Sequence, residues 1–133
     1  MERTRVMIDQ AAIAAKVTEL GAAITKAHRG HDLVVVPVLK GSFVFAADLV
    51  RAIDLPLSID FLGCRSYGDD TESSGVVQIT HDLRAGIEGQ NVVLVEDIVD
   101  TGLTIDYILR MLAVRGPKSL RVATLLDKPD NRE

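Results

Sequence analysis

The sequence predicts an α/β fold: an open, mostly parallel, twisted sheet flanked by helices. Three observations carry this expectation. β-Branched runs such as "LVVVPV" (33–38) and "VVLV" (92–95) are continuous rather than alternating, as strands covered on both faces require. Segments of helical spacing separate these runs. Aromatics make up only 4% of the chain and Trp is absent, so the core falls to Val, Leu, Ile and Ala, the usual filling of layered α/β folds.

In chain order, Asp9 can cap a helix through "QAAIAAKVTELGAAITKAH", where Ile13, Val17, Leu20 and Ile24 recur at spacings of three and four. "LVVVPV" follows as a buried strand. "GSFVFAADLVRAI" returns to helical spacing with Ser42 as its candidate cap. "LPLSIDFLGC" reads as one further strand, and "SYGDDTESSG" as a polar loop without periodicity. "VVQIT" resumes strand character and "NVVLVED" is the strongest strand signal. "GLTIDYILRMLAVRG" is a helix stopped by Gly116 and Pro117, and "SLRVATLLD" closes as a last strand. Alternating strand and helix around short links implies right-handed crossovers and helices on both faces of the sheet.

With 133 residues, 47% of them hydrophobic, a single domain over 1–133 is expected. A net charge of −4 without a Lys/Arg block offers no footprint for nucleic acid. Cys64 is the lone cysteine, which fits a reducing cytoplasm and excludes an internal disulfide. No stretch approaches the length of a membrane span, and "MERTRVMIDQ" lacks a signal-peptide core. The three histidines, at 28, 31 and 81, fall at no metal-pair spacing, and His28 and His31 read as helix-end and loop residues.

The informative stretch is "VVLVEDIVDTGLT" (92–104), a dry strand that meets Glu96 and Asp97 and ends in a short polar turn. In an open parallel sheet, ligands bind beyond the carboxyl ends of the strands. The amides of Thr101, Gly102, Leu103 and Thr104 open a helix there, where backbone N–H groups and the helix dipole suit a phosphate. Gly102 lets the anion approach and the two hydroxyls add donors. Two ionised carboxylates accept hydrogen bonds only, which matches vicinal sugar hydroxyls. Adjacent strand residues point to opposite faces, so at most one of the pair faces a ligand directly. An isolated acidic pair would read as a solvated strand end; the whole constellation argues otherwise.

This stretch resembles the phosphoribosyltransferase signature for phosphoribosyl pyrophosphate: an apolar run, two acids, then Asp-Thr-Gly-x-Thr. "VLKGSFVFAADLV", "SYGDDTESSGVV" and "ATLLDKP" are similar to one branch, the hypoxanthine (hypoxanthine-guanine) phosphoribosyltransferases of bacterial type. The resemblance implies the type I phosphoribosyltransferase fold. It also implies transfer of 5-phosphoribose from phosphoribosyl pyrophosphate to N9 of a 6-oxopurine, giving IMP or GMP and pyrophosphate. Glu96, Asp97, Asp100, Thr101, Gly102, Leu103 and Thr104 would hold the phosphoribose, with Asp100 as the base at purine N7. Glu96 and Asp97 would serve Mg²⁺, directly or through water. Lys40 and Gly41, with Ser42, would grip the pyrophosphate, and the Leu39–Lys40 peptide can be cis. Ser66 and Tyr67 would belong to a closing lid, and Lys128 would donate to the purine 6-oxygen. A cytoplasmic homodimer or homotetramer is implied, with no nucleic acid or membrane partner. Members of the branch continue past the position of Lys128 with a hood segment that residues 1–133 do not contain. The alternative reading is a phosphoribosyl-pyrophosphate- or nucleotide-binding regulator, or a piece that binds without turnover.

Overall fold

The computed structural model describes residues 10–66, 77–99 and 102–127. Among these, helix α1 spans Gln10–Ala27, strand β1 Leu33–Leu39, helix α2 Phe43–Ala52, β2 Leu57–Ile59 and β3 Leu62–Ser66. They are followed by β4 Val77–His81, β5 Asn91–Val99, helix α3 Leu103–Ala113 and β6 Ser119–Asp127. The strands form one sheet in the order β4-β3-β1-β5-β6, with β2 also paired to β1. Every pairing is parallel except β3 with β4. The expected open, mostly parallel sheet is therefore present.

Its two faces carry separate cores, as a strand covered on both sides demands. Leu33, Val35, Val93 and Val95 pack with Val17 of α1 and with Phe45, Ala46 and Leu49 of α2. Val36, Val38, Val92 and Leu94 pack on the opposite face with Ile108 and Leu112 of α3. Odd and even positions of β1 and β5 thus serve different layers, so neither strand tolerates a polar residue until its carboxyl end. No helix of the described residues is long and apolar enough to cross a membrane.

Three expectations need correction. The predicted stripe of α1 is rotated: its buried line is Val17, Gly21 and Thr25, continued by His28, while Ile13, Leu20 and Ile24 are only half-buried. Thr25 can sit inside because its hydroxyl donates to the Gly21 carbonyl at 2.8 Å and accepts from the Asp54 amide at 2.9 Å. Ser42 occupies the N-cap position of α2 without capping it, since its buried hydroxyl donates back to the Val38 carbonyl. That also removes Ser42 as an open grip for a ligand. "LPLSIDFLGC" is two strands rather than one. The register to β1 is the same on both sides of the break, Leu33 facing Leu57 and Val38 facing Leu62. Asp60 interrupts it: its amide donates to the Val35 carbonyl at 3.0 Å, and its carboxylate accepts from the Phe61, Arg84 and Ala85 amides. Asp9 and the "YGDDTESSGV" segment lie outside the described residues.

At the other end of α3, Gly116 adopts φ +76°, and its amide donates to the Ala113 carbonyl at 3.2 Å. This left-handed turn, ahead of Pro117, lets the chain leave the helix and enter β6.

Candidate functional site

β5 pairs with β1 through Pro37 and Val95 and with β6 as far as Val99 and Asp127. Being parallel, β1, β3, β5 and β6 finish at one end of the sheet. Lys40 and Gly41 follow β1, Ser66 ends β3, and Glu96 and Asp97 lie on the last stretch of β5. Gly102 is three residues beyond β5, and α3 starts at the next residue, Leu103. The sequence-predicted residues are therefore gathered by strand direction and not by sequence proximity, as open α/β sheets arrange their ligand crevices.

Within this end, Gly41 meets Asp97. A Cβ built on Gly41 would lie 3.7 Å from both carboxylate oxygens of Asp97, ordinary contact distance, so the acid sits beside the turn's backbone. The Asp97 carboxylate thus lies beside the turn that carries Lys40, which brings an acid and a lysine-bearing turn together at the ends of β5 and β1. The Leu39–Lys40 peptide at the head of that turn is cis, as the resemblance implies.

Glu96 has the opposite parity on β5 and shares its face with Val92 and Leu94, the side packed by α3. Its Oε1 accepts the Asp97 amide hydrogen at 3.0 Å, and both residues are half-buried. The Thr124 hydroxyl of β6 donates weakly to the Asp97 carbonyl at 3.4 Å. The adjacent acids are thus divided between the two faces: Asp97 toward the Lys40–Gly41 turn, Glu96 toward the layer that α3 begins. Gly102 takes φ +89° at the N-cap of α3, a conformation only glycine adopts without strain, and its carbonyl accepts the Asp106 amide at 2.9 Å. Leu103 and Thr104 form the first turn of that helix. Asp100, Thr101, Tyr67 and Lys128 lie outside the described residues.

Beside the same turn is a cavity of about 610 Å³ bounded by Leu39, Lys40, Thr80, His81 and the stretch Gly63, Cys64 and Arg65. A larger one, about 840 Å³, runs between α1 and α2 and contains none of these groups. We therefore take the former as part of the site. Sequence spacing did not single out Arg65 and His81, because the antiparallel β3–β4 pairing brings them to Lys40. The signal for Arg65 was its polar alternation with Cys64, which packs into the α3-side core; His81 has the same parity as Ile79 and reaches Gly63 through a shift in register.

The sequence pattern of the phosphoribosyl transferase domain matches residues 7–133. The chain belongs to the phosphoribosyl transferase domain family. It is 47% identical to a hypoxanthine-guanine phosphoribosyltransferase of Mycobacterium avium, over 96% of this chain and 66% of that protein. It is 46% identical to a hypoxanthine phosphoribosyltransferase of Haemophilus influenzae, over 96% of this chain and 73% of that one. A crystal structure of a Bacillus anthracis hypoxanthine-guanine phosphoribosyltransferase, with a HEPES molecule in its active site, superposes with a TM-score of 0.94. That pair shares 43% identity over 100% of this chain and 79% of the other. The chain thus spans about two thirds of the Mycobacterium avium relative. Within the phosphoribosyl transferase domain, the acids of β5, the glycine before α3 and the turn after β1 occupy the carboxyl end of the sheet, where the fold class places its ligands.

Proposed function

We propose that this chain is the core of a cytoplasmic purine-salvage phosphoribosyltransferase, a single domain over 1–133 that assembles as a dimer or tetramer. It transfers 5-phosphoribose from phosphoribosyl pyrophosphate to N9 of hypoxanthine and guanine. The observation that carries this reading is the Gly41–Asp97 contact, which sets a cation-binding carboxylate against an anion-binding turn at the carboxyl ends of neighbouring parallel strands. A substrate that carries a diol and a pyrophosphate on one sugar needs both.

In this reading the amides opening α3, with Thr101 and Thr104, take the 5-phosphate, and Gly102 lets it come close. Glu96 and Asp97 accept from the ribose hydroxyls, while Lys40 and the Gly41 amide hold the pyrophosphate. Fixing both ends of the sugar aligns the anomeric carbon with the base. The bond from that carbon to the pyrophosphate oxygen breaks, the bond to N9 forms, and Asp100 removes the proton from N7. Ser66 and Tyr67 close over the centre and exclude water, which would otherwise hydrolyse the activated sugar. Lys128 donates to the 6-oxygen; an ammonium has donors only, so the amino group of adenine is rejected.

Two carboxylates fit Mg²⁺, which keeps several waters and takes one or two carboxylates plus substrate oxygens; among the described residues no group of three or more His, Cys, Asp or Glu forms a denser cluster. Glu96 and Asp97 would hold the ion, directly or through water, and when bound it supplies positive charge to the leaving pyrophosphate.

One assay tests the proposal: the chain, Mg²⁺ and phosphoribosyl pyrophosphate are mixed with hypoxanthine, guanine or adenine, and pyrophosphate release is followed. Release with the two 6-oxopurines and not with adenine supports it. Binding of phosphoribosyl pyrophosphate without release under any base replaces it with the regulator reading.

A further inference from the structure

On the face of the sheet that carries α1 and α2, the β3–β4 pair presents Gly63, Arg65, Gln78 and Thr80, because Leu62, Cys64, Val77 and Ile79 turn to the α3-side core. Together with Leu39, Lys40 and His81, Gly63, Arg65 and Thr80 enclose the cavity of about 610 Å³ beside the Lys40–Gly41 turn. Its lining holds three nitrogen-bearing side chains, Lys40, Arg65 and His81, and no carboxylate. In a chain with 19 acids against 15 lysines and arginines, such a lining runs against the overall balance.

Gly63 makes the enclosure: a Cβ there would come within 2.9 Å of the Thr80 hydroxyl and of the His81 Cβ, so any larger residue would push β4 away. Arg65 is oriented by its Nε, which donates to Gln78 Oε1 at 2.8 Å. Gln78 is neutral, and no carboxylate among the described residues pairs with the guanidinium. The acid next to His81, Asp82, is already engaged by both terminal nitrogens of Arg115, at 2.9 and 3.0 Å. β4 is an edge strand open to solvent, and that alone accounts for a polar residue such as His81 there. It does not account for Arg65, which lies on the inner strand β3 and converges on the cavity with Lys40.

We propose that this cavity receives the far phosphate of a pyrophosphate group seated on the Lys40–Gly41 turn, with Arg65 and His81 as further binding residues and the Thr80 hydroxyl as a neutral donor. The inference rests on the pyrophosphate role of that turn proposed above. Lys40 is shared by turn and cavity, so a diphosphate can bridge the two where a monophosphate cannot. Arg suits the task because its planar fork binds phosphate oxygens in pairs.

The test is calorimetric titration of the chain with magnesium pyrophosphate, and separately with ribose 5-phosphate, in wild type, Lys40→Met, Arg65→Gln/His81→Gln and Arg65→Lys. The double variant is expected to lose roughly ten-fold in pyrophosphate affinity with ribose 5-phosphate unchanged, and Arg65→Lys to lose only part of that, because an ammonium keeps the charge without the paired donors. Should the double variant not fold, the single variants carry the same test, with losses of about three-fold each. A loss in Lys40→Met with none in the Arg65 and His81 variants overturns this inference and leaves the role of the turn intact. No loss in any variant overturns both.

Discussion

Gly21 of α1 lies directly against Ala52 of α2: a Cβ at position 21 would stand 2.5 Å from both the Ala52 Cβ and its carbonyl oxygen. Real Cβ atoms essentially never come so close to their neighbours, and Ala52 has no flexible end to swing away. The two helices cross at this point because glycine occupies it. Overpacking of this kind costs ~1–3 kcal/mol, against less than ~1 kcal/mol regained from the better helix propensity of alanine. Gly21→Ala should therefore lower stability by about 1–2 kcal/mol in urea unfolding, with Gly21→Leu worse. A Gly21→Ala variant as stable as the parent would mean that the helices separate without cost.

That contact also marks where the sequence was legible and where it was not. β1 and β5 could be read because both faces are buried, so their runs are continuous and rich in β-branched Val. The signature at 92–104 could be read because a strand end, two acids and a glycine before a helix occur together in one short stretch. The rotation of α1 could not, because its buried line uses Gly21, Thr25 and His28, two of them polar, selected by contacts to α2 and Asp54. The break at Asp60 was hidden for the same reason: its partners, Arg84 and Ala85, are distant in sequence. Arg65 and His81 reach the site through strand pairing, which no local spacing encodes.

His28 predicts a pH dependence. It is 3% exposed, and its Nε2 has no hydrogen-bond partner. Burial holds its pKa below 6.5, reinforced by the positive charge of Arg121 and by His31. With a folded pKa below the unfolded value, the unfolded chain takes up the proton first as pH falls through 6.5. Stability is thus unaffected above that range and declines below it, with a limiting slope of about 1.4 kcal/mol per pH unit, until the folded form also protonates. His28→Leu should remove this component, so that the gap between variant and parent in thermal melts moves in the variant's favour from pH 8 to pH 5. A gap that stays constant across that range would show that His28 is not the titrating group.

The divided acids of β5 predict a shared loss. Asp97 faces the Lys40–Gly41 turn and Glu96 the α3 layer, and in the proposed function both accept from the ribose hydroxyls. Charge-assisted hydrogen bonds are worth ~1.5–3 kcal/mol, so Glu96→Gln with Asp97→Asn should weaken Mg²⁺-dependent binding of phosphoribosyl pyrophosphate by about ten-fold or more. Binding measured with the metal chelated should fall much less. Unchanged affinity in the presence of Mg²⁺ would remove the pair from the sugar and metal site.

Asp100 predicts the opposite separation, of turnover from binding. In sequence it falls between the end of β5 at Val99 and Gly102. In the proposed role a carboxylate there accepts the N7 hydrogen and takes the proton, whereas the amide oxygen of Asn can accept the hydrogen bond but cannot take the proton. Removing a general base costs ~10²–10⁴ in rate, so Asp100→Asn should lower kcat by about a hundred-fold or more while the Kd for phosphoribosyl pyrophosphate stays within about three-fold. The acidic limb of the pH–kcat profile should flatten in the variant, because that limb reports protonation of the base. Losses of equal size in kcat and in sugar-phosphate affinity, with the acidic limb retained, would make Asp100 a ligand for the sugar and assign the proton to another acceptor.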